Sequence, residues 1–327
     1  MARTDLTRAE LELYRPEVRE PHDFDLFWAE TLAEAAAHEL DARFEPVATP
    51  FSTVEVFDVS FGGFAGDRIH AWLTMPAGRS EPLPAVVEFL GYTGGRGLPG
   101  ERLDWASAGY AHLLVDTRGQ GAGWGGGATS DPHGSGASGT GFMTRGIESP
   151  HSYYYRRVYT DAVRAVSAVR AHPDVDATRV AVHGISQGGG IALAVSGLVP
   201  DLVAAMPDVP FLCHIERGME LSARDPFAEL TRYLAVYRSR AEQVLTTLSY
   251  FDAVNFAARA NAPALFSVAL MDPVCPPSTV YAAYHRYSAA EKGMVVYPYN
   301  EHEGGGAQQR FAQIGWLGER TGASRYQ

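Results

Sequence analysis

Residues 179–198 restrict what this chain can fold into more than any other segment. Val180 and Val182 stand on one side of a short apolar run that reads as a buried strand. The run enters Gly184-Ile185-Ser186-Gln187-Gly188, and a helical pattern of apolar residues follows from Ile191 to Leu198. A strand that turns straight into a helix at one serine forces that residue into strained backbone geometry and exposes its hydroxyl above the sheet. The flanking glycines are needed because a side chain there would collide with the neighbouring strand or helix. The five-residue pattern alone is cheap in a chain with 34 glycines. With a strand before it and a helix after it, the pattern predicts a nucleophile at Ser186.

A serine hydroxyl is a poor nucleophile at neutral pH. A histidine must take its proton, and a carboxylate must orient that histidine. In α/β-hydrolases the partners follow the serine in the order acid, then histidine. The apolar run 264–271 ends at Asp272, and the run 294–297 leads to Asn300-Glu301-His302-Glu303-Gly304. That order predicts Asp272 and His302 as partners of Ser186. An aspartate beside Pro273 also suits a plain turn. Of the 11 histidines, His302 alone follows the last strand in a glycine-rich loop. His183 adjoins the elbow and is expected to pack there, and His214 and His285 fall in helical or connecting segments. Acyl transfer also needs donors for the developing oxyanion. The fold supplies the amide after the nucleophile, here Gln187, and an amide from a turn after an earlier strand. Tyr92, in Gly91-Tyr92-Thr93-Gly94-Gly95 after the strand 85–90, is the expected second donor.

The rest of the chain agrees with an α/β fold, a mostly parallel central sheet flanked by helices. Strands are expected near 85–90, 112–116, 180–183, 203–206, 264–269 and 294–297. Helices are expected over 153–170, 190–199, 277–287 and from 307 onward. Alternating strands and helices are the signature of a parallel sheet. Segments 52–61 and 68–75 alternate apolar and polar residues, which predicts an antiparallel pair at the sheet's edge. Residues 1–45 read as a helical extension, with Phe24, Phe27, Trp28 and Leu32 on one stripe. Residues 211–248, after the sixth strand region, read as a helical insertion that caps the site or makes an oligomer contact. The whole of 1–327 is expected to be one domain.

Three motifs stand in order along the chain: Arg118-Gly119-Gln120, Gly184-Ile185-Ser186-Gln187-Gly188-Gly189, and His302-Glu303. Collinear segments lie between them, including residues 154–162, 210–214 and 271–277. On these residues the chain resembles the cephalosporin-C deacetylase and acetyl xylan esterase family, carbohydrate esterase family seven, over essentially its whole length. The resemblance implies an intracellular serine esterase that removes acetyl groups from short xylo-oligosaccharides and cephalosporin C. It also implies a ring-like homohexamer whose sites face an internal cavity. It supports Ser186, Asp272 and His302 as the triad, with the Tyr92 and Gln187 amides as oxyanion donors. By the same resemblance, Arg118, Gly119 and Gln120 support the site structurally, and Trp105, Phe211, Val274 and Cys275 wall a small acyl pocket. No cofactor or metal is implied.

Several other classes are disfavoured. A net charge of −11 without a Lys/Arg run argues against nucleic acid or an anionic membrane as partner. Gly121-x-Gly123-x-x-Gly126 formally matches a dinucleotide fingerprint, but no helix is expected to open there. Two cysteines make no disulfide framework, and no His or Cys pairs stand at metal-ligand spacing. No secretory pattern is visible, and no apolar run approaches the roughly 18 residues of a membrane span. These readings predict a cytoplasmic enzyme with a small acetylated substrate. The rivals are a broader carboxylesterase or lipase-like hydrolase with a longer acyl groove, and a non-catalytic binding protein of the same fold. The intact Ser, Asp and His argue against the latter.

Overall fold

Apolar residues every second position make the first strands pair through one buried face. In the computed structural model, which describes residues 5–134 and 136–323, β1 (Arg43–Val47), β2 (Val54–Gly62) and β3 (Arg68–Pro76) form an antiparallel meander. The sequence placed an antiparallel pair at the edge, but the edge strand is β1. It lies just where the N-terminal helical reading ended, and its exposed pattern gives little apolar signal. Six further strands follow: β4 (Leu83–Phe89), β5 (Ala111–Val115), β6 (Val175–Ile185), β7 (Ala204–Asp208), β8 (Ala264–Ala269) and β9 (Lys292–Tyr297). The nine strands lie in the order β1-β2-β3-β5-β4-β6-β7-β8-β9. From β5 to β9 all neighbours are parallel.

Period-two alternation sorts the central strands between two faces. On one face Ala85, Val87 and Phe89, with Val180 and Val182, join the main core under α4 (Tyr154–Arg170) and α5 (Gln187–Leu198). On the other, Val86, Ala181, Ala204 and Met206 pack with Trp105 of the short α3 (Asp104–Ser107) and Leu317 of α11 (Gly306–Thr321). The N-terminal α1 (Arg8–Leu13) and α2 (Phe24–Ala36) lie ahead of the sheet, and Phe24, Phe27 and Trp28 are buried in the main core. Between β7 and β8 the chain is helical: α6 (Ile215–Leu221), α7 (Phe227–Val236), α8 (Ala241–Ser249) and α9 (Ala253–Ala257). The helix α10 (Pro277–Arg286) joins β8 to β9. Among the described residues no helix is long and apolar enough to cross a membrane.

Candidate active site

The parallel strands end on one rim, and the turns leaving them assemble the site. Ser186 sits between β6 and α5 at φ 58°, ψ −119°, a conformation that costs a non-glycine residue energy. The surroundings hold it there. The Ser186 N–H donates to the Asp208 carbonyl at 3.0 Å, and the Ser186 carbonyl accepts the Phe211 N–H at 2.9 Å. A Cβ on Gly184 would lie 2.2 Å from the Gly188 backbone, and one on Gly188 would lie 2.1 Å from the Phe89 carbonyl oxygen. The elbow therefore tolerates only glycine at both flanks. The helix opens directly after Ser186, three residues earlier than the apolar pattern alone suggests, because Gln187 and the glycines carry no helical periodicity.

On one side of the serine stand the acid and the imidazole. His302 Nε2 lies 2.9 Å from Ser186 Oγ, and His302 Nδ1 lies 2.8 Å from Asp272 Oδ2. Asp272 follows β8, is 2% exposed, and accepts the N–H groups of Val274 (2.8 Å) and Cys275 (2.9 Å) on Oδ1. Those amides fix the carboxylate, leaving Oδ2 to take the imidazole Nδ1–H. The lone pair on Nε2 then faces the serine hydroxyl, the tautomer a general base needs.

On the other side lies the glycine turn after β4. Its Thr93 N–H donates to Gln120 Oε1 at 2.7 Å. Gln120 Nε2 donates to Gln187 Oε1 (2.9 Å) and Tyr154 OH (3.1 Å), and Gln187 Nε2 donates to the Leu90 carbonyl (3.1 Å). Gln120 thus ties the Tyr92 turn to Gln187, the residue after Ser186. Gln187 is the first residue of α5, where an N–H has no acceptor within the helix. Arg118 lies beneath, fully buried, bonded to Asp161 (2.5 and 2.8 Å), Asp67 (2.8 Å) and Asp131 (3.3 Å). Burial alone would lower its pKa, but these carboxylates raise it above the ordinary value. Gly119 beside it is at φ 69°, and its N–H donates to the Thr129 carbonyl at 2.8 Å.

Phe211, Val274 and Cys275 come close to this centre through the contacts above. Phe211 also packs edge-on to Phe227 at 4.6 Å between ring centres. Burial pushes the Cys275 thiol well up, although it bonds Ser186. Asp272, Cys275 and His302 are the one set of donors among the described residues close enough to hold a metal ion. Metal binding takes a thiolate, and burial disfavours it here. The bonds of His302 to Asp272 and Ser186 occupy both ring nitrogens.

Trp105 is a correction to the sequence reading. It is buried on the opposite face of the sheet against Tyr110 and His183, with the Arg310 guanidinium over its ring. The family resemblance assigns it to the acyl pocket, but α3 packs it against the face of the sheet that carries Val86, Ala181 and Met206. His183 is not simply packed either. On that face it bonds Asp208 (3.2 Å), and Glu88 bonds His112 (2.9 Å) and Arg102. Gln309 and Gln313 of α11 donate to the same Asp208 carboxylate at 2.9 and 2.8 Å. Burial would raise the Glu88 pKa, but Arg310 and hydrogen bonds from His112 and His183 hold it well below the usual carboxylate range.

Two residues at the site escaped the sequence reading. Trp124 is 44% exposed, donates its indole N–H to the Tyr92 carbonyl at 3.0 Å, and stands against Gly94, where a Cβ would come 2.3 Å from the ring. A lone tryptophan in a long glycine-rich segment was the available signal. Glu229 of α7 accepts the Tyr92 hydroxyl on both carboxylate oxygens, at 2.7 and 2.8 Å. A single glutamate on a helix looks like any solvated one.

The sequence profile of the acetyl xylan esterase family matches residues 1–320. The chain belongs to the acetyl xylan esterase family. The structure superposes on an acetyl xylan esterase from Paenibacillus sp. R4 with a TM-score of 0.91 at 39% identity, covering 96% of this chain and 100% of that one. It superposes on acetyl xylan esterase 1 from Thermoanaerobacterium sp. JW/SL YS485 with a TM-score of 0.88 at 32% identity, covering 96% and 99%. The acetyl esterase Axe7A of Xylanibacter ruminicola is 27% identical over 314 residues, 94% of this chain and 69% of that protein. An acylaminoacyl peptidase from Pyrococcus horikoshii, at 15% identity and a TM-score of 0.56, shares the fold alone. This family member is a carboxylic ester hydrolase with the α/β-hydrolase fold, and its activity is that of a serine acetyl esterase.

Proposed function

We propose that this esterase removes acetyl groups from small O-acetylated sugars through an acyl-enzyme on Ser186. The observation that carries this reading is the unbroken chain of contacts Asp272–His302–Ser186 at 2.8 and 2.9 Å. His302 takes the proton as Ser186 Oγ attacks the acetyl carbonyl. Asp272 orients the ring and stabilises its charge. The Tyr92 and Gln187 amides receive the oxyanion, a contribution worth about 10²–10³ in rate per donor in comparable sites. His302 then protonates the departing alcohol, and water attacks the acyl-enzyme by the same route in reverse. Arg118, Gly119 and Gln120 act by holding the donors, without touching substrate.

On the acyl side, Phe211, Val274 and Cys275, whose main-chain amides bond Ser186 and Asp272, are read by family resemblance as the walls of a small pocket. The exposed indole of Trp124 offers an apolar face for a sugar ring on the alcohol side. Acetylated xylo-oligosaccharides and cephalosporin C both carry an acetyl ester small enough for this arrangement. We also infer a cytoplasmic homohexamer, a reading supported by family resemblance, in which the helices between β7 and β8 cap the site or contact a neighbour. Sedimentation as a monomer would contradict the assembly. The reaction is tested by kcat/KM for nitrophenyl esters from acetate to octanoate. A steep fall beyond acetate is expected. A flat profile, or a maximum at longer chains, would leave a general or lipase-like esterase in its place.

A further inference from the structure

Tyr92 is gripped by its side chain as well as by its main chain. Its hydroxyl donates to both oxygens of Glu229, at 2.7 and 2.8 Å, and accepts the Phe142 N–H at 2.6 Å. Glu229 also accepts the Met143 N–H at 3.1 Å. The Tyr92 ring meets Phe142 edge-on at 5.6 Å, and the Tyr92 carbonyl takes the Trp124 indole N–H at 3.0 Å. Ring tip and carbonyl are therefore both fixed. The Tyr92 N–H has no protein acceptor among the described residues. Gly141, at φ 96°, lets the loop run over the carboxylate, since a Cβ there would sit 2.1 Å from Glu229 Oε1.

Glu229 is 5% exposed and makes no ion pair among the described residues. Leaving a buried carboxylate without a cation costs stability, so a purely structural role is a poor use of the position. Burial pushes its carboxyl up despite the bonds from Tyr92 and Met143. Three segments meet at this one side chain: the turn 91–95, residues 141–143, and helix α7 of the segment between β7 and β8.

We propose that Glu229 is a positioning residue that clamps the Tyr92 hydroxyl so that the Tyr92 amide points at the developing oxyanion. The inference rests on the reading of that amide as an oxyanion donor. The clamp acts before chemistry and touches no substrate, so its loss removes stabilisation of the transition state and not of bound ester. Such a loss lowers kcat and kcat/KM together and leaves KM nearly unchanged.

The test compares Glu229→Leu, Glu229→Gln, Tyr92→Phe and the double variant Glu229→Leu/Tyr92→Phe on nitrophenyl acetate, with thermal melting of each. Misaiming one donor should cost part of its full value, so kcat of Glu229→Leu and of Tyr92→Phe should fall about 10–100-fold. Glu229→Gln can keep an oxygen at the Oε2 position, which accepts from both Tyr92 and Met143, and should lose less. The double variant should be no slower than the slower single, because both substitutions open the same clamp. A folded Glu229→Leu with wild-type kcat, a loss confined to KM, or losses that multiply would each overturn the inference. Should Glu229→Leu not fold, wild-type kcat in both Glu229→Gln and Tyr92→Phe overturns it equally. A wild-type enzyme inert toward acetyl esters would instead overturn the esterase reading on which this inference stands.

Discussion

The two sides of Ser186 are built in different ways. The acid–base side takes Asp272 and His302 from the turns after β8 and β9: Asp272 is fixed by the amides of its own turn, Val274 and Cys275, and His302 by Asp272. The oxyanion side takes one turn, residues 91–95, and holds it with Gln120, Trp124 and Glu229 from distant parts of the chain. In the proposed mechanism the reacting groups on the first side are side chains and so must be particular residues. On the second they are amides, which any residue carries, and specificity moves to the side chains that aim them. Substitution should therefore abolish function on the first side and grade it on the second.

The largest effect is expected at the nucleophile. Ser186→Ala should lower kcat by about 10⁶ with the fold intact, as removal of a catalytic serine does elsewhere; retention of substantial turnover would break the comparison at its root. Asp272→Asn keeps the shape but offers an amide where a carboxylate must accept the Nδ1–H, and should cost about 10⁴ in kcat. On the second side, Gln120→Ala frees the Thr93 amide and unties Gln187. A loss smaller than about 10², below that for deleting a donor outright, is expected by steady-state kinetics. A loss as large as that of Asp272→Asn would show that the two sides are not graded differently.

Beneath both sides lies the buried charge cluster of Glu88, His112, His183 and Arg310. Removing the charge at Glu88 leaves Arg310 without its buried partner. Glu88→Gln should lower stability at pH 7 by about 3–5 kcal/mol, measured by denaturant unfolding. The Glu88 pKa is depressed in the folded protein, so its contribution is complete above the unfolded value of about 4.3 and is lost as pH falls through the folded one. The gap between wild type and variant should therefore close in acid, and a gap that widened there would contradict the assignment. The smallest effect is expected at Trp105. Because it packs beneath the sheet, Trp105→Phe should leave the ratio of acetate to butyrate turnover unchanged, whereas Val274→Ala should raise relative turnover of butyrate.

The same division explains what could be read from the sequence. A strand, a glycine-flanked serine and a helix are local, so the elbow was visible, as were Asp272 and His302 at strand ends in the required order. The parallel half of the sheet was visible because its strands are short apolar runs. The edge strand β1 was not, since its residues are mostly exposed and its pairing with β2 is a long-range fact. Trp105 was misplaced because it was assigned by family resemblance alone, which does not say which face of the sheet α3 covers. Glu229 and Trp124 lay hidden for a related reason: their role is set by contact with Tyr92 across 137 and 32 residues of chain. Nothing near Glu229 in sequence marks it, and Trp124 is marked only by being a lone tryptophan among glycines.

The central claim is that acetyl transfer passes through Ser186. The most direct measurement is rapid acid quenching of the enzyme during turnover of nitrophenyl acetate, followed by mass analysis of its peptides. One acetyl group on the peptide bearing Ser186, absent from Ser186→Ala, is the predicted result. An acetyl group on another residue, or the same label in Ser186→Ala, would contradict it.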